Sequence, residues 1–146
     1  MNLWALLRKQ LFGIAPTNGG MVGRWIGHMR QGQFRDTSIS SAHAVHGEST
    51  IGWSAHYLTG IAYAALLIFI CGESWLFEPT LGPAVALGIA TVVAPFFILQ
   101  LGMGAGIAAS KTPNPSAVRL HSVSNHAVFG LGLYLAALVL RLALSL

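Results

Sequence analysis

The sequence predicts an all-α integral membrane bundle, and three observations carry that prediction. Only 12 of 146 residues are charged, 8 Lys plus Arg and 4 Asp plus Glu, which is 8% against the roughly 25% usual in a soluble domain. Apolar residues make up 54% of the chain, with a mean hydropathy of +0.65. The charges leave three long gaps, Ser49 to Gly72, Pro79 to Ser110 and Leu120 to Leu140, of 24, 32 and 21 residues. A transmembrane helix needs about 20 mostly apolar residues, so each gap is long enough. This composition excludes a disordered chain, a collagen-like chain and a disulfide scaffold. The basic residues form no stripe and do not alternate with stacking aromatics, so nucleic acid is not an expected partner. The single cysteine, Cys71, has no internal disulfide partner and reads as a packed thiol.

Residues 1–146 form one membrane domain in this reading. Residues 1–14 are apolar but short, about 21 Å at 1.5 Å per residue against a core of about 30 Å. Arg8 and Lys9 follow the apolar stretch, and no small-residue cleavage site appears, so it does not read as a signal peptide. It is expected to lie at the interface or to be the inner end of a longer helix starting upstream of Met1. Pro16 and Asn18 to Gly20 end it. Residues 15–50 follow as a cytoplasmic connector, with a short helix over Met21 to Met29. The spans are then expected at 52–70, 82–106 and 118–144. Trp53 and Tyr57 at one end of the first, and Trp75 and Phe77 beyond the other, read as interfacial aromatics.

Arg8, Lys9, Arg24, Arg30 and Arg35 precede the first full span, and Lys111 and Arg119 separate the second from the third. These loops are expected to face the cytoplasm. The loop from Gly72 to Pro79 carries only Glu73 and Glu78, so it and the C-terminus are expected on the outer side of the membrane. Arg141 would snorkel to the outer headgroups or meet a partner.

Ser54-x-His56-x-x-x-Gly60 and Ser124-x-His126-x-x-x-Gly130 echo each other, each followed by Tyr and Ala-Ala-Leu. Such an echo fits either two parallel helical hairpins or chance in Ala-Leu-Gly-rich helices. His56 and His126 are expected at matching depth, each with a glycine four residues on, on the same face. Two readings are open. The imidazoles hold haem b from two sides or face a quinone head group, with Gly60 and Gly130 giving clearance, or they hydrogen-bond across closely packed helices. His121 lies about 140° around the helix from His126, so those two cannot chelate together.

His28, His43, His46 and Glu48 could assemble a zinc site, but no paired spacing on a predicted helix supports one, and a solvated loop is the expected arrangement. Leu99 to Pro113, with Gly102, Gly104 and Gly106, resembles a phosphate loop only superficially, because it closes a helix at its negative end. Gly102, Gly106 and Ala109 are instead expected to form a close-packing ridge on a helix. Pro95 is expected to bend that helix and free the Thr91 carbonyl, and Gln100 places an amide in the bilayer. Thr91 and Gln100 could line a small polar cavity with His56 and His126.

Four ordered motifs carry a family resemblance. They are Val22-Gly-Arg-Trp-Ile-Gly-His28, Gly52-Trp-x-x-His56-Tyr-x-x-Gly60-Ile, Gly102-Met-Gly-Ala-Gly-Ile-Ala-Ala-Ser-Lys-Thr-Pro113 and His126-x-x-Phe-Gly-Leu-Gly-Leu-Tyr134. Together they resemble the domain of unknown function 2938 family of bacterial membrane proteins. The resemblance covers nearly the whole chain and implies a small polytopic inner-membrane protein, with no activity or ligand to transfer. It also implies a first helix that starts further upstream, and an Asp in the family where this chain has Asn2.

No carboxylate pair, Ser-His-Asp set or Cys-His set stands out, and no acid lies inside a span. The expected role is therefore a non-enzymatic accessory subunit or homo-oligomer acting through helix packing, with the bilayer and other membrane subunits as partners. A redox module built on His56 and His126 is the alternative, and a small oligomeric transporter comes third.

Overall fold

The computed structural model describes Gln10 and residues 18–144. The expected N-terminal partial helix over residues 1–14 lies, apart from helical Gln10, outside the described residues, as does Asn2. All regular structure among the described residues is helical. Helix α1 runs Gly19–Met29, α2 Glu48–Cys71, α3 Ser74–Phe77 and α4 Leu81–Ala90. A π-helical turn over Pro95–Leu99 leads into α5, Gln100–Gly102, and a 3-10 turn over Ile107–Ala109 precedes α6, Pro115–Leu144. Three stretches are long and apolar enough to cross a membrane, Glu48–Cys71, Leu81–Gly102 and Pro115–Leu144.

The helix starts follow local chemistry. Asn18 caps α1, its side chain accepting from the Gly20 amide at 2.9 Å. The first span begins at Glu48 rather than Gly52, since Gly47 turns the chain at φ 74° and an acid suits the positive helix start. The last begins at Pro115 rather than Val118. Proline fits the first helical position, and Asn114 Oδ1 accepts from the Ala117 amide at 3.2 Å.

The second span departs furthest from an unbroken helix over 82–106. It turns at Thr91 and Val92, winds as a π-turn after Pro95 and ends at Gly102. Pro95 offers no N–H to the Thr91 carbonyl. That carbonyl is not left open, because the Ala94 amide donates to it at 3.2 Å.

Two glycine crossings assemble the bundle. A Cβ on Gly23 of α1 would overlap the Glu48 carbonyl, and one on Gly52 of α2 would overlap the Gly19 carbonyl. On the other side, a Cβ on Gly88 of α4 would lie 2.7 Å from the Gly130 Cα of α6. Backbones this close exchange dispersion contacts that side chains would forbid. At the end away from the connector, Leu67, Trp75, Ala84 and Ala137 form a buried cluster, flanked by Leu87, Leu133 and Tyr134. Trp75 is thus a core residue rather than an interfacial one, its indole N–H donating to Thr80 Oγ1 at 3.2 Å. Phe77 stays exposed.

Candidate functional site

Two polar regions stand out in an otherwise apolar molecule. The first is the connector, which folds as a cap over one end of the bundle with Asp36 and Ile39 buried, while His43 and His46 stay exposed as expected of a solvated loop. Arg24 on α1 grips Glu48 at the start of α2 through two hydrogen bonds of 2.8 Å. The same guanidinium donates to the carbonyls of Ile39 at 3.2 Å and Ala42 at 3.0 Å, and its pKa is raised by the bond to Glu48. Glu48 also accepts from the Val45 amide at 3.0 Å.

Beneath this clasp lies a buried pair, His28 at 6% exposure and Asp36 at 4%. His28 Nδ1 meets both Asp36 carboxylate oxygens, at 3.0 and 3.2 Å, and Nε2 meets the His43 carbonyl at 3.0 Å. Both ring nitrogens thus face oxygen atoms, one set on the Asp36 side chain and one on the backbone. Gln33 Nε2 adds a third hydrogen bond to Asp36 at 2.7 Å. The Asp36 amide donates to the Gly102 carbonyl at 2.8 Å, and that of Ile39 to the Met103 carbonyl at 3.2 Å. Trp25 lies against Gly102 while its N–H donates to the Phe34 carbonyl at 3.0 Å.

Of the four residues weighed for zinc, the side chains of His28 and Glu48 are engaged, with Asp36 and Arg24 respectively, while His43 and His46 are exposed. Among the described residues, no group of three or more metal-ligating side chains converges. Asp36 was not singled out from the sequence. Its signal was rarity, since it is one of only 4 acids and lies on the one segment rich in basic side chains.

The second region lies inside the spans. Thr91 Oγ1 donates its single hydrogen to the Gly88 carbonyl at 2.6 Å. His126 Nδ1, 2.8 Å from the same oxygen, must then be the donor, which leaves Nε2 with its lone pair. Gln100 Nε2 donates to Ser122 Oγ at 3.3 Å. Gln100 is 8% exposed, and its Oε1 is buried with no partner among the described residues. Thr91 and Gln100 thus bracket the π-turn, each reaching α6.

His56 does not join this ladder. It is exposed and lies edge-on to Trp53 and Tyr57 of its own helix, at 5.6 and 5.5 Å. No ring contact or hydrogen bond joins it to His126. Gly130 seats at the α4 crossing, whereas Gly60 faces only Phe129, 3.9 Å from where its Cβ would be. The two halves of the sequence echo therefore perform different jobs.

Gly102, Gly106 and Ala109 do not form a helical ridge. Gly102 ends α5 against Trp25. Gly106 sits beyond the helix at φ 77°, and Ala109, at φ 60°, closes the 3-10 turn. Gly104 and Gly106 occupy left-handed backbone that glycine adopts freely, which ends the helix before a ridge can form.

The family model described as "Protein of unknown function (DUF2938)" matches residues 1–140. The chain belongs to this family. No curated protein and no solved structure matches the DUF2938 chain. The second and fourth motifs contribute Gly52 and Gly130 of this DUF2938 protein to backbone contacts, and the third sets Gly102 against the Trp25 ring. The first contributes Arg24, Trp25 and His28 to the cap.

Proposed function

We propose that this protein is a non-enzymatic membrane subunit that assembles, with copies of itself or with other membrane proteins, through the groove between α2 and α6. The observation that carries this reading is an apolar groove of about 150 Å³ whose walls include Ala64, Ala136 and Leu140. Gly132, one helical turn before Ala136 on the same face, has open space where a Cβ would be. Gly23, Gly52, Gly88 and Gly130, by contrast, each already seat against backbone. Small residues without a neighbour let a further helix approach closely. Replacing Gly132 and Ala136 together by Leu is expected to dissociate the assembly in sedimentation in a mild detergent. Unchanged association would count against the reading.

The cap end carries Arg24, Arg30, Arg35, Lys111 and Arg119, while Glu73 and Glu78 sit at the other end. This asymmetry supports a cytoplasmic cap and a periplasmic C-terminus in a bacterial inner membrane. Labelling of single cysteines placed at Gln31 and Glu73 in intact cells tests it.

A second reading, a redox module, is favoured by one observation. His126 donates through Nδ1 to Thr91 and keeps Nε2 available, the arrangement a metal-ligating histidine adopts. His126 would be one ligand or contact for haem b or a quinone, with His56 as the second group. A reduced-minus-oxidised spectrum of protein taken gently from its own membrane tests it. A haem band lost in His126→Ala and kept in His121→Ala would favour the redox reading, and no band would remove its haem form.

A further inference from the structure

Between the connector and the loop after α5 lies a cavity of about 400 Å³, lined by Arg35, Asp36, Thr37, Gly104, Gly106 and Lys111. Its walls are fixed from both sides. The Asp36 amide is bonded to the Gly102 carbonyl at 2.8 Å, and the Lys111 amide to the Ala105 carbonyl at 2.9 Å. A Cβ on Gly104 would overlap the Thr37 carbonyl. In the loop between the lining residues Gly106 and Lys111, Ala108 and Ala109 take φ 47° and 60°, a region that residues with a Cβ avoid. Arg119 Nε holds the Ala108 carbonyl at 2.7 Å. Observed strain of this kind concentrates where a loop is shaped for a ligand.

The charge of this cavity is positive. Its lining carries two cationic side chains, Arg35 and Lys111, against one acidic one, Asp36, whose carboxylate oxygens are hydrogen-bonded to His28 and Gln33. Arg35 and Lys111 are both exposed and have no ion-pair partner among the described residues. An oxyanion between a guanidinium and an ammonium gains charge-assisted hydrogen bonds, and the Thr37 hydroxyl adds a donor. A metal cation would meet repulsion.

The flanks identify what carries the anion. Phe34, next to Arg35, is 66% exposed, and Ile107, next to Gly106, is 51% exposed. Ile107 follows a span that stops at Gly102, and Phe34 lies two residues before Asp36, whose amide bonds the Gly102 carbonyl; in a bilayer, the end of such a span would lie near the lipid phosphates. A soluble phosphate would leave these apolar side chains unused, whereas an amphiphile covers them. We propose that this cavity binds the phosphate of a phospholipid headgroup, with Arg35 and Lys111 holding its oxygens and Phe34 and Ile107 flanking its chains.

The test uses the full chain in maltoside micelles and phosphate-free buffer, titrated with phosphatidylglycerol or, separately, with inorganic phosphate, and read by native mass spectrometry. The expected result is one tightly held lipid per chain, weakened about tenfold or more in Arg35→Gln and in Lys111→Gln. Arg30→Gln, which alters an exposed cation outside the cavity, should stay within about twofold of the parent. Lys111→Arg keeps the charge and should retain the lipid, so loss of charge is separated from loss of fold. Equal lipid retention in every variant, or no retained lipid in the parent, overturns the proposal. Inorganic phosphate displacing the lipid at comparable concentration would also overturn it, since the site would then be one for a soluble anion.

Discussion

Gly88 of α4 and Gly130 of α6 meet backbone to backbone, with the position of a Gly130 Cβ only 2.6 Å from the Ala84 carbonyl. A methyl group there has no flexible neighbour to displace, so the helices must part. Gly130→Ala is expected to destabilise the fold by about 1–3 kcal/mol, measured by unfolding in mixed micelles. Gly60→Ala is the contrast. Its methyl would meet only Phe129, at 3.9 Å, so relief of glycine's helix cost should leave it neutral or more stable by up to about 1 kcal/mol. Equal losses in the two variants would refute the assignment of the crossing.

The His28–Asp36 pair is buried on both sides, so removing one partner strands the other. Asp36→Ala should cost about 1–3 kcal/mol, because it leaves buried polar groups without a partner, and Asp36→Asn, which keeps the shape, should cost less. Chemical denaturation of the two variants measures this. A parent-like midpoint for Asp36→Ala would show that the pair contributes nothing.

Arg24 and Glu48 are partly solvated, so their clasp is expected to matter more for local order than for total stability. In Glu48→Gln, the amide of Val45, which donates to the carboxylate, should exchange with deuterium faster while the α6 amides keep their protection. Unaltered exchange across the connector would remove the clasp as its organiser.

The Thr91 hydroxyl fixes the tautomer of His126. Nitrogen-15 spectra of labelled imidazole should show the proton on Nδ1 in the parent. In Thr91→Val the acceptor is gone, and a mixture or the Nε2 tautomer is expected. A parent population already on Nε2 would reverse the donor assignment and withdraw the support it gives to the redox reading.

The three spans were legible because charge is so costly in hydrocarbon that its absence marks them. Their starts were less so. Glu48 looked like a loop acid until Arg24 was seen beside it, and Asn114-Pro115 was a cap signal lying just outside an apolar run. The Gly102 to Gly106 stretch was ambiguous in principle. Glycines spaced by four suit a helical ridge or a left-handed turn, and only the packing of Thr37 against Gly104 decides. His56 and His126 looked equivalent because both follow a serine and precede a glycine. Their helices meet different neighbours, and only His126 has a threonine opposite it. The cap was illegible for a related reason, since Asp36 bonds to Gly102 and Trp25 rests on it, a partnership between distant parts of the chain.

That last contact also bears on the order in which the protein forms. The connector is synthesised before any of the three spans, yet one of its walls, the Gly102 end of the second span, emerges much later. Long-range closure of this kind is slow compared with local helix formation. The cap accordingly cannot close until the Gly102 end of the second span is made, so a chain halted before then would display Trp25 and the His28–Asp36 pair as unfinished surface.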